Sequence, residues 1–201
     1  MIETECGAAK RFPVALSLLL SVVASACGGS PSSPSGNSGT LNLRITDSPY
    51  SDARALLVTF SEVSAHRADT PDSAWVSLPF AEGATARTCD LKKLVNAQDI
   101  LGVGSLTAGR YTQVRLTVSQ ATLYFDNPSA GGACAPIVVP PSGRSAAVEV
   151  SSGEVKLNRE FEVAAGGSTT MVVDFDGDRS VIQQGNGAYR MSPVISVASV
   201  Q

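Results

Sequence analysis

The sequence is poor in the side chains that most catalytic chemistry uses. Among 201 residues there is one histidine, His66, and one tryptophan, Trp75, and aromatics make up 5%. A lone imidazole leaves no histidine set for a hydrolytic zinc, and no G-x-S-x-G elbow is present to expose a nucleophilic serine. Basic residues are in no surplus: Lys and Arg number 15 against 18 Asp and Glu, for a net charge of −3. Contact with phosphate backbones draws on such a surplus, so nucleic acid is not an expected partner. The longest apolar run, FPVALSLLLSVVASA at 12–26, falls short of the roughly 20 residues of a membrane-crossing helix.

That short run has a purpose of its own. Lys10 and Arg11 precede it, and small residues, Ala24, Ser25 and Ala26, end it; this is the pattern of an export signal. Residues 24–27, ASAC, resemble the bacterial lipobox, in which the cysteine sulfur takes a diacylglycerol and the freed amine a further acyl chain. Ala24 stands where leucine is commonest in that motif. The alternative is an ordinary signal peptide cut near Ala26, with Cys27 incidental. After Cys27 comes GGSPSSPSGNSG, without one aliphatic or aromatic side chain. Such a segment cannot offset its ordering entropy and serves as a tether, reaching about 20 Å on average. The sequence therefore divides into a lipoprotein signal peptide at 1–26, a lipidated Cys27 with its tether at 27–39, and a folded domain at 40–201. The expected setting is the cell envelope, periplasmic or outer surface, with the membrane as partner through the palmitate-like anchor. Where the organism has an outer membrane, that is the expected one.

With Cys6 in the leader and Cys27 carrying lipid, Cys89 and Cys134 are the remaining pair. Export brings the chain to an oxidising compartment, where two leftover thiols most simply form one disulfide. No close C-x-x-C spacing points to redox or metal use.

From residue 40 onward the apolar pattern has period two. Leu41, Leu43 and Ile45 share a face, as do Leu56, Val58 and Phe60, and Val114, Leu116 and Val118; each set reads as a half-buried strand. Further strands are expected at 75–78, 121–125, 137–139, 146–150, 154–158, 161–163, 169–175 and 189–200. Turn sequences such as NPSAGG, PPSG and GNG separate most of them. The expected fold is all-β, an antiparallel β-sandwich. One exception is DLKKLVNAQDILG at 90–102, where Leu91, Leu94, Val95 and Leu101 recur at helical spacing. A short helix or helical turn is expected there, capped by Asp90. GVGSLTAG at 102–109 reads as a turn, because a dinucleotide loop needs its glycines between a strand and a helix. GNG at 185–187 suits a tight hairpin.

Three blocks, LNLRITDSPYSDARALLVTFSEVSAHRAD, LVNAQDILGVGSLTAGRYTQVRLTV and TTMVVDFDGDRSVIQQGNGAYRMSPVISV, together resemble the domain of unknown function DUF4382 of bacterial and archaeal envelope lipoproteins. The resemblance spans residues 39–197 and implies a sandwich in the style of transthyretin-like and carboxypeptidase regulatory-like domains. It implies no activity.

The acids of DFDGD, Asp174, Asp176 and Asp178, alternate, so in a strand they project to one side. Ca²⁺ takes six to eight oxygens, and this row offers two or three to a structural cation; the alternative is a solvated strand end with Asp174 bonding loop amides. Asp47 and Asp52 join them if the first and late strands are neighbours. Paired acids acting on a saccharide, Asp174 with Glu62 or Glu160, form the enzymatic alternative. His66 reads as a strand-end residue. Trp75, Tyr50, Tyr111, Tyr124 and Tyr189 make a sugar-stacking platform only if several share an exposed face, and Tyr111 and Tyr124 are expected opposite the core. The functional expectation is a non-catalytic envelope lipoprotein, no cofactor required, displaying its sandwich to an envelope protein or glycan.

Overall fold

Alternating side chains produce two facing sheets. A computed structural model describes residues 36–48 and 51–201; the segment read as a signal peptide, Cys27, Tyr50 and most of the segment read as a tether lie outside the described residues. One sheet has four strands, in the order β13 (Ile195–Val200), β10 (Ser168–Asp176), β1 (Ser38–Ser48) and β5 (Asp99–Thr107). The other has nine. Its main path runs β11 (Val181–Gln183), β12 (Tyr189–Met191), β8 (Ser145–Val150), β6 (Gly109–Tyr124), β2 (Ala55–Arg67), β4 (Arg87–Asp90) and β7 (Cys134–Ala135). Two further strands join it, β3 (Trp75–Ser77) on β2 and β9 (Glu154–Val163) on β6.

The all-β sandwich is as expected from the alternation, but its sheets are mixed. β1 pairs in parallel with β10, and β8 with β12; the remaining pairings are antiparallel. The core lies between the sheets. Leu41, Leu43 and Ile45 of β1 and Met171, Val173 and Phe175 of β10 are fully buried, facing Leu56, Val58, Phe60, Val114 and Leu116. Phe60 and Phe175 meet edge to face with centroids 6.4 Å apart, a preferred aromatic geometry.

Several local expectations are corrected. β1 begins at Ser38, two residues inside the segment read as tether, because Ser38 and Gly39 pair with Thr107 and Leu106. The short helix or helical turn expected within 90–102 is present as one 3₁₀ turn, Leu91–Lys93, capped by Asp90 as expected; it is shorter than the segment suggested, since from Asp99 the chain is strand β5. A 3₁₀ turn stacks residues three apart, and Leu91 and Leu94 are both fully buried by that spacing. GVGSLTAG is not a turn up to Thr107; Gly102 and Gly104 lie within β5. There the segment Leu78–Phe80 crosses over them. Val103 N–H donates to the Pro79 carbonyl at 3.1 Å, and a Cβ on Gly104 would stand 3.1 Å from Pro79 Cδ. Glycine in a strand interior permits such close backbone approach. Residues 137–139 form no strand; the short β7 precedes them at Cys134–Ala135. The expected strand at 189–200 is broken into β12 and β13. GNG does close a hairpin, between β11 and β12, with Gly187 at φ 84°.

Candidate functional site

Strand polarity defines two ends of the sandwich. Ser38, Arg67, Thr107, Gly109, Val163 and Ser168 lie at the end where the chain enters β1; the opposite end carries Ser48, Ala55, Asp90, Asp99, Tyr124 and Asp176. The acids picked out in the sequence gather at this second end.

They do not form a row. Asp174 lies on β10 and accepts the Ser48 hydroxyl at 3.2 Å. Asp176 ends the strand as N-cap of α1 (Gly177–Ser180), accepting from the Arg179 amide at 3.0 Å. Asp178 is inside α1 and accepts from the Ser51 amide at 3.1 Å. Capping and loop bonding are ordinary uses of short carboxylates. The alternation failed because a four-residue helix begins at Gly177, which turns Asp178 away from the strand's direction. Among the described residues no group of three or more His, Cys, Asp or Glu is placed to hold a metal ion.

Asp47 is a further acid of this end, and it is different. The first and late strands are indeed neighbours, but Asp47 stands opposite Phe175, so its side chain continues the core-facing row of Leu41, Leu43 and Ile45. It is 5% exposed, and neither carboxylate oxygen has a hydrogen-bond partner. Burial pushes its pKa up to about 8; the charge of Asp174 adds to the rise, while the Gly177 backbone and Lys92 act against it. Asp90, fully buried at the end of β4, shows the contrast. It accepts from the Leu56 amide at 3.2 Å, the Lys92 amide at 3.2 Å and the Ser129 hydroxyl at 2.5 Å. Three well-placed donors replace water for Asp90, whereas for Asp47 the Gly177 backbone is outside hydrogen-bond geometry and offsets only part of the cost of burial.

Cys89 and Cys134 form the expected disulfide, across directly paired positions of β4 and β7. It anchors loop 125–144, which other bonds also tie down. Asp90 N–H donates to Ala133 O at 2.7 Å, Cys134 N–H to Asp99 at 2.9 Å and Lys93 Nζ to Gly131 O at 2.8 Å. Arg87, 4% exposed, donates one Nη to Cys134 O at 3.2 Å, while its Nε and other Nη lack partners. Sequence reading passed over Arg87, since nothing in RTCD marks the arginine as facing inward; its pairing with inward-facing Phe60 does.

The enzymatic pairs are not brought together. Glu62 is bound to Arg115 at 3.0 Å and Glu160 to Arg110 at 3.4 Å, both on the nine-stranded sheet, whereas Asp174 is on the other. His66 is 7% exposed, bonded to Thr112 Oγ1 at 3.3 Å and Pro71 O at 3.0 Å, with its ring 5.2 Å from Trp75. A carbonyl only accepts, so Nε2 carries the proton. Nor do the aromatics share a face. Tyr111, expected outside, is 1% exposed and stacks on Phe161 at 5.3 Å, Tyr189 meets Phe125, and Trp75 lies under the Arg115 guanidinium at 4.5 Å.

Tyr124 borders a concavity. On the outer face of β2, β4 and β6, beneath loop 125–144, lies a groove of about 260 Å³ with Thr59, Thr88, Gln120 and Thr122 on its floor and Ile137 on its wall. Among comparisons with known proteins, a family model described as "Domain of unknown function (DUF4382)" matches residues 38–193. No curated protein and no solved structure matches the chain.

Proposed function

The chain belongs to the DUF4382 family, a domain of unknown function, and from that premise we propose that it is a membrane-anchored cell-envelope lipoprotein acting as a non-catalytic binding or structural module. The observation that carries the reading is the change of character at Cys27: an apolar, small-residue-ended segment stops there and a Gly/Ser/Pro tether begins. More than one acyl chain at that cysteine gives stable anchoring, since each buried CH₂ contributes about 0.8 kcal/mol. The acids of DFDGD support display rather than turnover, because Asp174, Asp176 and Asp178 hold loops together by hydrogen bonds.

Expression of the full chain in a bacterium with an alkyne-bearing fatty acid, followed by membrane fractionation, tests this. Label on the wild type in the membrane fraction, and unlabelled soluble Cys27→Ala, are the expected results. An unlabelled wild type, or a variant that stays membrane-bound, contradicts the anchor.

A further inference from the structure

Taking the chain as a binding module, we infer that the groove under loop 125–144 is a subsite for one residue of a neutral oligosaccharide. The inference rests on that reading for its class, but its evidence is the groove itself.

Its floor belongs to the faces of β2, β4 and β6, whose backbone groups are engaged in ladders on both sides. A peptide laid there would find no backbone partner, because strand addition needs a free edge. What the floor offers is side-chain hydroxyl and amide: Thr59, Thr88, Gln120 and Thr122. Hydroxyls both donate and accept, and an amide side chain has donors and an acceptor; sugar hydroxyls have the same double character. Thr59 and Thr88 already bond each other at 2.9 Å, which fixes their orientation and leaves acceptor capacity toward the groove.

The walls supply the apolar half of the match. Tyr124 stands at one end of the floor, and Pro136, Ile137 and Pro140 line the flap side. Rings of carbohydrate present apolar C–H faces that pack on aromatic and proline surfaces. No charged side chain lines the groove, although 16% of the chain is charged. An acidic or basic ligand would meet no counter-charge there, which selects a neutral one. At about 260 Å³ the cavity lies below the range of roughly 300–1,000 Å³ typical for whole ligands, so it takes one unit of a longer chain.

The flap is built to hold its shape. The disulfide and the bonds to Asp99, Ala133 and Gly131 fix its base, three prolines stiffen residues 136–141, and Val138 is buried on Leu57 and Ala55. Ile137 is thereby left 84% exposed at the rim. A rigid apolar rim costs less on binding than one that must be ordered.

An array of neutral oligosaccharides (N-acetylglucosamine, glucose, mannose and galactose oligomers), with uronic-acid oligomers as the charged set, tests the inference on detergent-solubilised native protein, with titration calorimetry of any hit. Binding of at least one neutral member, weakened tenfold or more by Gln120→Ala and by Ile137→Ser, is expected. Both side chains are exposed, so these variants keep the fold, checked by an unchanged melting temperature. The inference fails if no neutral oligomer binds, if only charged oligomers bind, or if both variants bind as the wild type does. Such failure leaves the acylation result untouched, so the two readings are separable.

Discussion

Asp47 stands directly opposite Phe175 in the parallel pairing of β1 with β10, a carboxyl in a row otherwise made of Leu41, Leu43 and Ile45. Its folded pKa of about 8, against 3.8 for an ordinary aspartate, makes folding stability depend on pH. Below about pH 4 both folded and unfolded chains hold the proton, and the stability linked to this group is fully present. As pH rises toward 8 the unfolded chain releases the proton and the folded chain does not, so stability falls, by at most about 1.4 kcal/mol per pH unit. Above 8 both forms are ionised and the loss levels off. Asp47→Asn, similar in shape and uncharged, is expected to raise the melting temperature at pH 7–8 and to flatten its decline between pH 4 and 8. A variant with the wild-type profile contradicts this assignment.

Across β4 and β7, the disulfide closes a separation of 45 residues. In the chain-entropy model that constrains the unfolded state by up to about 4 kcal/mol. Reduction, or Cys89→Ala with Cys134→Ala, is expected to lower the urea midpoint by an amount equal to about 2–4 kcal/mol. Proteolysis under native conditions should then cut first within 125–144.

At Gly104 an added Cβ meets Pro79 Cδ at 3.1 Å and Leu78 Cγ at 3.3 Å. Gly104→Val is expected to push the crossing segment off β5 and destabilise by about 1–3 kcal/mol. Gly185→Ala is the control, since nothing lies within 4 Å of its Cβ position; it should leave the denaturation midpoint within about 0.5 kcal/mol.

As N-cap of α1, Asp176 contributes through its bond from the Arg179 amide. Asp176→Ala should cost about 1 kcal/mol and Asp176→Asn much less, because asparagine keeps the acceptor. Thermal melts with millimolar calcium separate this from ion binding: the account expects the same midpoint with calcium and with chelator. A calcium-dependent rise abolished by Asp176→Asn contradicts it.

The strands were legible because period-two alternation and burial are the same fact, as Leu41, Leu43 and Ile45 show. The disulfide was legible by elimination among four thiols. Mixed sheet topology was not, since the alternation of β10 reads alike whether its neighbour runs parallel or antiparallel. The helical turn at Leu91 and Leu94 was legible from their spacing of three and the capping Asp90, but not its length, because that spacing fits one 3₁₀ turn as well as a longer helix. The glycines of β5 looked like a turn because the segment that crosses them, Leu78–Phe80, is distant in sequence. Asp174, Asp176 and Asp178 were read as one row because no local cue in DFDGD marks where strand becomes helix. The groove under loop 125–144 was invisible for a similar reason: its floor and wall come from strands and a loop spread over some eighty residues.

Intact-mass spectrometry of the native protein tests the central claim most directly. A chain starting at Cys27, carrying diacylglycerol with a further amide-linked acyl group and lacking two hydrogens for the Cys89–Cys134 bond, is the predicted species. A mass equal to the unmodified 201-residue chain with free thiols would contradict it.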